Sequence, residues 1–162
     1  MLRRILMMGC LSALVAGIAV AGDMKAEGAD PMEAMMKCRV CQHLAPHLEV
    51  LGPAMTMDVA RLNDGVALMH GVTDPEVLPT YREVSAKMNE AAESCMAMSD
   101  EEASANLCEM CQEIRGAVNA GAHLSMGDTR MGDMMVITSE DPALQQKLHK
   151  IGDQCEMMMQ AM

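Results

Sequence analysis

The sequence predicts an α+β protein: two tandem αββα units forming one pseudo-two-fold domain, with a four-stranded, mainly antiparallel sheet packed against helices. Three observations lead there. The chain repeats itself, each copy runs through helical and strand periodicities in the same order, and each copy holds one hairpin, too little sheet to stand alone in water.

The repeat rests on four anchors in a common order. Cys38-Arg-Val-Cys41-Gln42 matches Cys108-Glu-Met-Cys111-Gln112. The runs opening at Gly65 and Gly132 each reach an Asp-Pro, Asp74-Pro75 and Asp141-Pro142, by the same ten-residue step from Gly to Pro. Lys87-Met88 ahead of Cys95 matches Lys147-Leu148 ahead of Cys155, each lysine eight residues before its cysteine. The last helices differ by seven residues, about two turns, so the same face stays inward.

Residues 1–21 read as a secretory signal peptide. Arg3 and Arg4 precede an apolar run from Ile5 to Ala21, and Ala19-Val20-Ala21 is a small-x-small cleavage signal. The run is short and rich in Gly and Ala for a membrane span. Cleavage is expected to remove Cys10 and to leave no stable membrane insertion. The first unit then covers 22–98 and the second 99–162, with almost no linker at Met98-Ser99.

In the first unit Asp30-Pro31-Met32-Glu33 opens a helix, with Asp as N-cap, Pro at N1 and an acid at N3. Met36, Val40, Cys41, Leu44, Leu48 and Leu51 continue it at helical spacing, Pro46 kinks it, and Gly52-Pro53 ends it. Met55 to Leu62 and Val66 to Val72 form a hairpin about Asn63-Asp64-Gly65. Thr73 to Glu76 caps the second helix, which reaches about Cys95 with Pro79 in its first turns. In the second unit Ser99-Asp100-Glu101-Glu102 is a capping box for a helix ending near Gly121. His123 to Thr129 and Met134 to Thr138 form the hairpin, and Asp141-Pro142 opens the last helix.

Composition narrows the function. The chain has no Phe, no Trp and one Tyr, but 22 Met, so methionine must supply much of the apolar filling. Its formal charge is −11, and −13 once the leader takes two of the twelve basic residues and none of the 23 acidic ones. That charge repels phosphate backbones, so nucleic acid is excluded as a partner. No phosphate-binding glycine loop, Ser-His-Asp order or HExxH is present. No catalytic residue is nominated, and nothing points to an enzyme.

The cysteines carry the chemistry. Read as helical, Cys38 and Cys41 share a face, as do Cys108 and Cys111. Antiparallel packing of each unit's helices would return Cys95 to the first pair and Cys155 to the second. Three chemistries compete. Disulfide staples suit an exported chain and would each be worth about 2–4 kcal/mol, but leave one odd thiol per unit. Soft-metal binding makes Cys38, Cys41, Cys95, Cys108, Cys111 and Cys155 ligand candidates for Cu(I) or Zn. They would act as a three-thiolate set per unit or as one site shared between units, with methionines such as Met36, Met96, Met98, Met110 and Met157 nearby. Thiol redox chemistry fits less well, because a reactive Cys-x-x-Cys sits at a helix N-terminus and both pairs read as helix interior.

His43 and His47 have metal-pair spacing, yet at about 100° per residue they point away from Cys38 and Cys41. The second copy has Glu113 and Ala117 in their place. The reading that results is a periplasmic or secreted protein binding a thiophilic metal. The alternative is a non-catalytic, disulfide-stapled binding module for an unknown protein partner.

Overall fold

The computed structural model describes residues 31–161. The leader and the Asp30 cap lie outside them. No helix within them is long and apolar enough to cross a membrane.

Two hairpins make the sheet. Strands β1 (Met55–Leu62) and β2 (Gly65–Val72) turn at Asn63-Asp64, and β3 (His123–Thr129) and β4 (Gly132–Thr138) turn at Arg130-Met131. The strand order is β1-β2-β4-β3 and every pairing is antiparallel. The hairpins therefore join through β2 and β4, in a register that sets Gly65 opposite Thr138, Leu68 opposite Met135 and Gly71 opposite Gly132. None of these three glycines leaves room for a Cβ, and at two of them the overlap is severe. A Cβ on Gly65 would overlap the carbonyl oxygen of Ile137, and one on Gly132 the carbonyl oxygen of His70.

Alternation along the strands gives the sheet one packed face. Val66, Leu68 and Ile137 cluster with Leu144, Leu148 and Ile151 of α6 (Pro142–Ala161) and with Ala117 of α5 (Glu109–Asn119). Val72, on the same face of β2, clusters with Tyr81 and Val84 of α3 (Leu78–Met96) and with Leu51 and Ala54. The opposite face contributes no residue to either cluster. Methionine packs around these cores and not at their centres. The largest fully buried side chains are Leu51, Leu68, Ile137, Leu148, Ile151 and Val66, with Met57, Met110 and Met135 at the edge.

Most elements match the sequence reading, and their caps explain why. Ser99 and Glu102 form the reciprocal capping box of α4 (Asp100–Asn106). Asp141 accepts a hydrogen bond from the Ala143 amide at the head of α6. Gly121, at φ +103°, follows α5 in the left-handed conformation that favours glycine. The expected cap over Thr73 to Glu76 is corrected: α3 starts at Leu78 after Val77, and Asp74 accepts only from the Glu76 amide in the preceding turn. Pro79 lies in the first helical turn, where its missing amide costs nothing.

Two expected helices are broken, both at the cysteines. The first divides into α1 (Pro31–Lys37), 3-10 turns at Cys41–His43 and Ala45–His47, and a single turn α2 (Leu48–Leu51). Pro46 is one cause, since it supplies no amide for a continuous ladder. The other is at Arg39, whose amide donates to the Asn106 carbonyl at 2.9 Å and so leaves its own helix. The second divides into α4 and α5, with Leu107 and Cys108 both extended between them.

Candidate metal centre

These two breaks meet. The Arg39–Asn106 bond holds the first Cys-x-x-Cys loop against the α4–α5 junction, and the Sγ atoms of Cys38, Cys41, Cys108 and Cys111 all lie within 4.8 Å of one another. Cys41 Sγ is 3.8 Å from Cys108 Sγ and 3.7 Å from Cys111 Sγ. Among the described residues no two cysteine sulfurs are at bonding distance. Cys38 is 1% exposed, and the other three are partly buried.

The two loops share local geometry. The amide of the residue after each pair donates to the carbonyl of that pair's first cysteine, Gln42 to Cys38 at 2.9 Å and Gln112 to Cys108 at 3.0 Å. Each glutamine side chain also donates to a carbonyl of the loop, Gln42 to Arg39 and Gln112 to Leu107. The repeated Gln thus has a physical role: it braces the backbone that presents the thiols.

Four thiols this close cannot all ionise without a cation among them. Hydrogen bonds from Cys108, then Cys111 and Cys41, hold the Cys38 thiol far below its ordinary value. The hydrogen bond from Cys111 leads in bringing Cys108 down to about 7. Cys41 and Cys111 are pushed up, chiefly because each donates its proton to Cys108. Protons are therefore held on Cys41 and Cys111 in preference to Cys38 and Cys108. Metal binding should release the protons held on Cys41 and Cys111, and more of them below about pH 7, where Cys108 also gains one. Calorimetric titration in buffers of different ionisation enthalpy measures this directly. Affinity consequently falls as the solution is acidified.

The remaining two sequence-nominated cysteines are not among these four: Cys95 returns to the neighbourhood of the first pair as expected, and Cys155 does not. Cys95, 2% exposed at the end of α3, packs in the same apolar cluster as Cys38, Val40, Ala103 and Leu107 but is outside the set of four. Cys155 belongs to the cluster beneath the sheet, its Sγ 3.9 Å from Met110 Sδ. Burial, then the charges of Glu113 and Glu156, pushes it up to about 11. The expectation that both pairs sit inside helices is corrected: Cys38 follows α1, Cys41 opens a 3-10 turn, and Cys108 is the N-cap of α5. The extended backbone at Leu107 and Cys108 is what moves the second pair to a helix start.

One supporting residue was not nominated from sequence. Arg115, 7% exposed and one turn beyond Cys111, donates from Nε to the Cys95 carbonyl, from Nη2 to the Met98 carbonyl and from Nη1 to Asp100 at 2.8 Å. It fastens the end of α3 to α4 and α5 around the thiols. Its signal was an arginine four residues after Cys111, on the thiol-bearing face. Arg115→Met should cost about 2–4 kcal/mol in urea unfolding, because the Cys95 and Met98 carbonyls lose a charged donor and α3 loses its tie to α4 and α5.

No family model, curated protein or solved structure matches the chain.

Proposed function

We propose that this protein binds one thiophilic metal ion through Cys38, Cys41, Cys108 and Cys111, with Zn(II) as the best fit. The sulfur spacing carries the reading. Four thiolates about 2.3 Å from a tetrahedral Zn(II) lie about 3.8 Å apart, against 3.7 and 3.8 Å for the two separations from Cys41. Four protein ligands leave no open position, so the ion holds structure or is carried, and does not activate water. Cu(I), the other candidate, takes fewer thiolates and would leave part of the set unused.

The site is the shared one, formed between two related units that span 22–98 and 99–162. The register supports this: moving each β2 residue of a pair 67 positions on, and its β4 partner 67 back, returns an observed pair, as Gly65–Thr138 returns Gly132–Gly71 and Leu68–Met135 returns itself. The symmetric strand order and the matched glutamine bonds support it too. Duplication would then have assembled a four-ligand site from two-ligand halves. Arg3, Arg4 and the apolar run to Ala21 support export to the periplasm or exterior, with cleavage after Ala21.

The test is to purify the protein from its native compartment without reductant or added metal, then count metal and free thiols on one sample. One zinc per chain supports the reading. Absent metal together with absent free thiols rejects it in favour of disulfide staples. A second reading, dithiol redox chemistry, is favoured by one observation, that Cys108 caps α5 where the helix dipole stabilises a thiolate. Ready two-electron reduction and reoxidation of the Cys108–Cys111 pair alone would select it.

A further inference from the structure

Two cross-strand pairs flank Leu68–Met135 on the packed face, and they are built from opposite chemistry. On one side Val66 faces Ile137, both 0% exposed beneath Leu148 and Ile151 of α6. Gly152 lets that helix close down, since a Cβ there would lie 3.1 Å from Val66. On the other side His70 faces Asp133, with Nδ1 3.6 Å from Oδ1. Here α3 supplies Tyr81 and Ser85, whose hydroxyls donate to Asp133 Oδ2 at 3.0 and 2.5 Å.

The apolar side shows that this sheet and an overlying helix can be joined without polar groups. A half-buried carboxylate with its three donors is costlier to desolvate than a valine and an isoleucine. Asp133, Tyr81 and Ser85 open on a cleft of about 380 Å³ lined also by Arg82 and Asn89 from α3 and by Met126 and Asp128 from β3. That volume falls in the range of small-molecule sites, roughly 300–1,000 Å³.

The lining has both signs of charge. Asp128 is the direct cross-strand partner of Asp133, an arrangement of like charges that destabilises a bare sheet. Burial pushes the Asp133 carboxyl up, but hydrogen bonds from His70, Ser85 and Tyr81 outweigh it and hold the group below the usual carboxylate range. Arg82 also lines the cleft, and among the described residues neither the Arg82 nor the Asp128 side chain forms a hydrogen bond or ion pair.

We propose that this cleft binds a compact zwitterion of amino-acid to dipeptide size. The ligand ammonium lies between Asp128 and Asp133, its carboxylate meets Arg82, and Asn89 hydrogen-bonds beside it. Met126, 48% exposed, is the apolar wall for a side chain. This assignment does not rest on the metal site.

The test titrates the metal-loaded protein with a panel of common amino acids and dipeptides, with ethylamine and propionate as the two half-ligands, following backbone amide resonances of Asn89, Gly127 and Asp128. At least one zwitterion should give saturable shifts there, and each half-ligand should bind at least about 10-fold more weakly. Asp128→Asn, an exposed change, should weaken that zwitterion about 10-fold or more, and Arg82→Ala should weaken it while sparing ethylamine. Replacing the quartet with apolar groups (His70→Ile, Asp133→Val, Tyr81→Phe, Ser85→Ala) should keep the fold and abolish binding. The proposal is overturned if no zwitterion shifts these resonances saturably at millimolar concentration, if the halves bind as well as the whole, or if Asp128→Asn and Arg82→Ala leave affinity unchanged.

Discussion

Removing the metal with a chelator should lower the midpoint of thermal unfolding by roughly 10–15 °C, and Cys111→Ser should raise the dissociation constant by at least about 100-fold. An ion present at a thousand times its dissociation constant stabilises the native state by about 4 kcal/mol, and a domain of this size shifts by about 3–4 °C per kcal/mol. The effect is large because of what the sulfurs connect. Cys38 and Cys41 lie in a segment of short helical turns, whereas Cys108 and Cys111 lie on α5, which packs with α6 beneath the sheet. Without metal, the Arg39–Asn106 backbone bond and the small cluster around Cys38, Cys95 and Leu107 are the main ties between them. Hydrogen exchange should therefore accelerate first across residues 38–51 on chelation, with β2 and β4 still protected. Loss of one thiolate removes a direct ligand, so it should exceed the 10–100-fold typical of supporting groups.

Gly132→Ala should destabilise the protein by about 3–5 kcal/mol in denaturant unfolding, among the largest effects of any single methyl group. The added carbon would overlap the His70 carbonyl oxygen and crowd the Gly71 Cα, both main-chain atoms of the adjacent inner strand. A flexible side chain could rotate away, but here β2 and β4 must separate, and their pairing joins the two hairpins. Gly65→Ala meets the mirror-image obstacle at Ile137 and should behave alike. Gly116→Ala is the internal control: it lies within α5, a Cβ there meets nothing, and the change should stabilise by about 0.5–1 kcal/mol.

Much of the architecture was legible because local signals agreed with the global fold. Asn63-Asp64 and the alternation on either side fixed the first hairpin, and Ser99–Glu102 and Asp141-Pro142 fixed two helix starts. The joining of the hairpins through β2 and β4 was not legible. It depends on close approach at Gly65 and Gly132, whose glycines read in sequence only as turn residues. The six cysteines were visible, but their grouping was not. Helical periodicity carried both Cys-x-x-Cys pairs into helix interiors, because the bond that breaks the first helix, Arg39 to Asn106, spans 67 residues and leaves no local trace. Matching Cys95 with Cys155 by their preceding lysines suggested two three-thiol sets. Counted instead from the shared Asp-Pro, Cys155 corresponds to Met88 and lies two turns short of the Cys95 level.

X-ray absorption at the zinc edge of the purified, zinc-loaded protein addresses the central claim most directly. One zinc per chain surrounded by four sulfurs at about 2.3 Å is the expected first shell, and it should lose a sulfur on Cys41→Ser but not on Cys95→Ser or Cys155→Ser. A first shell of two or three sulfurs, or one that loses sulfur with Cys95 or Cys155, would contradict the shared four-cysteine site.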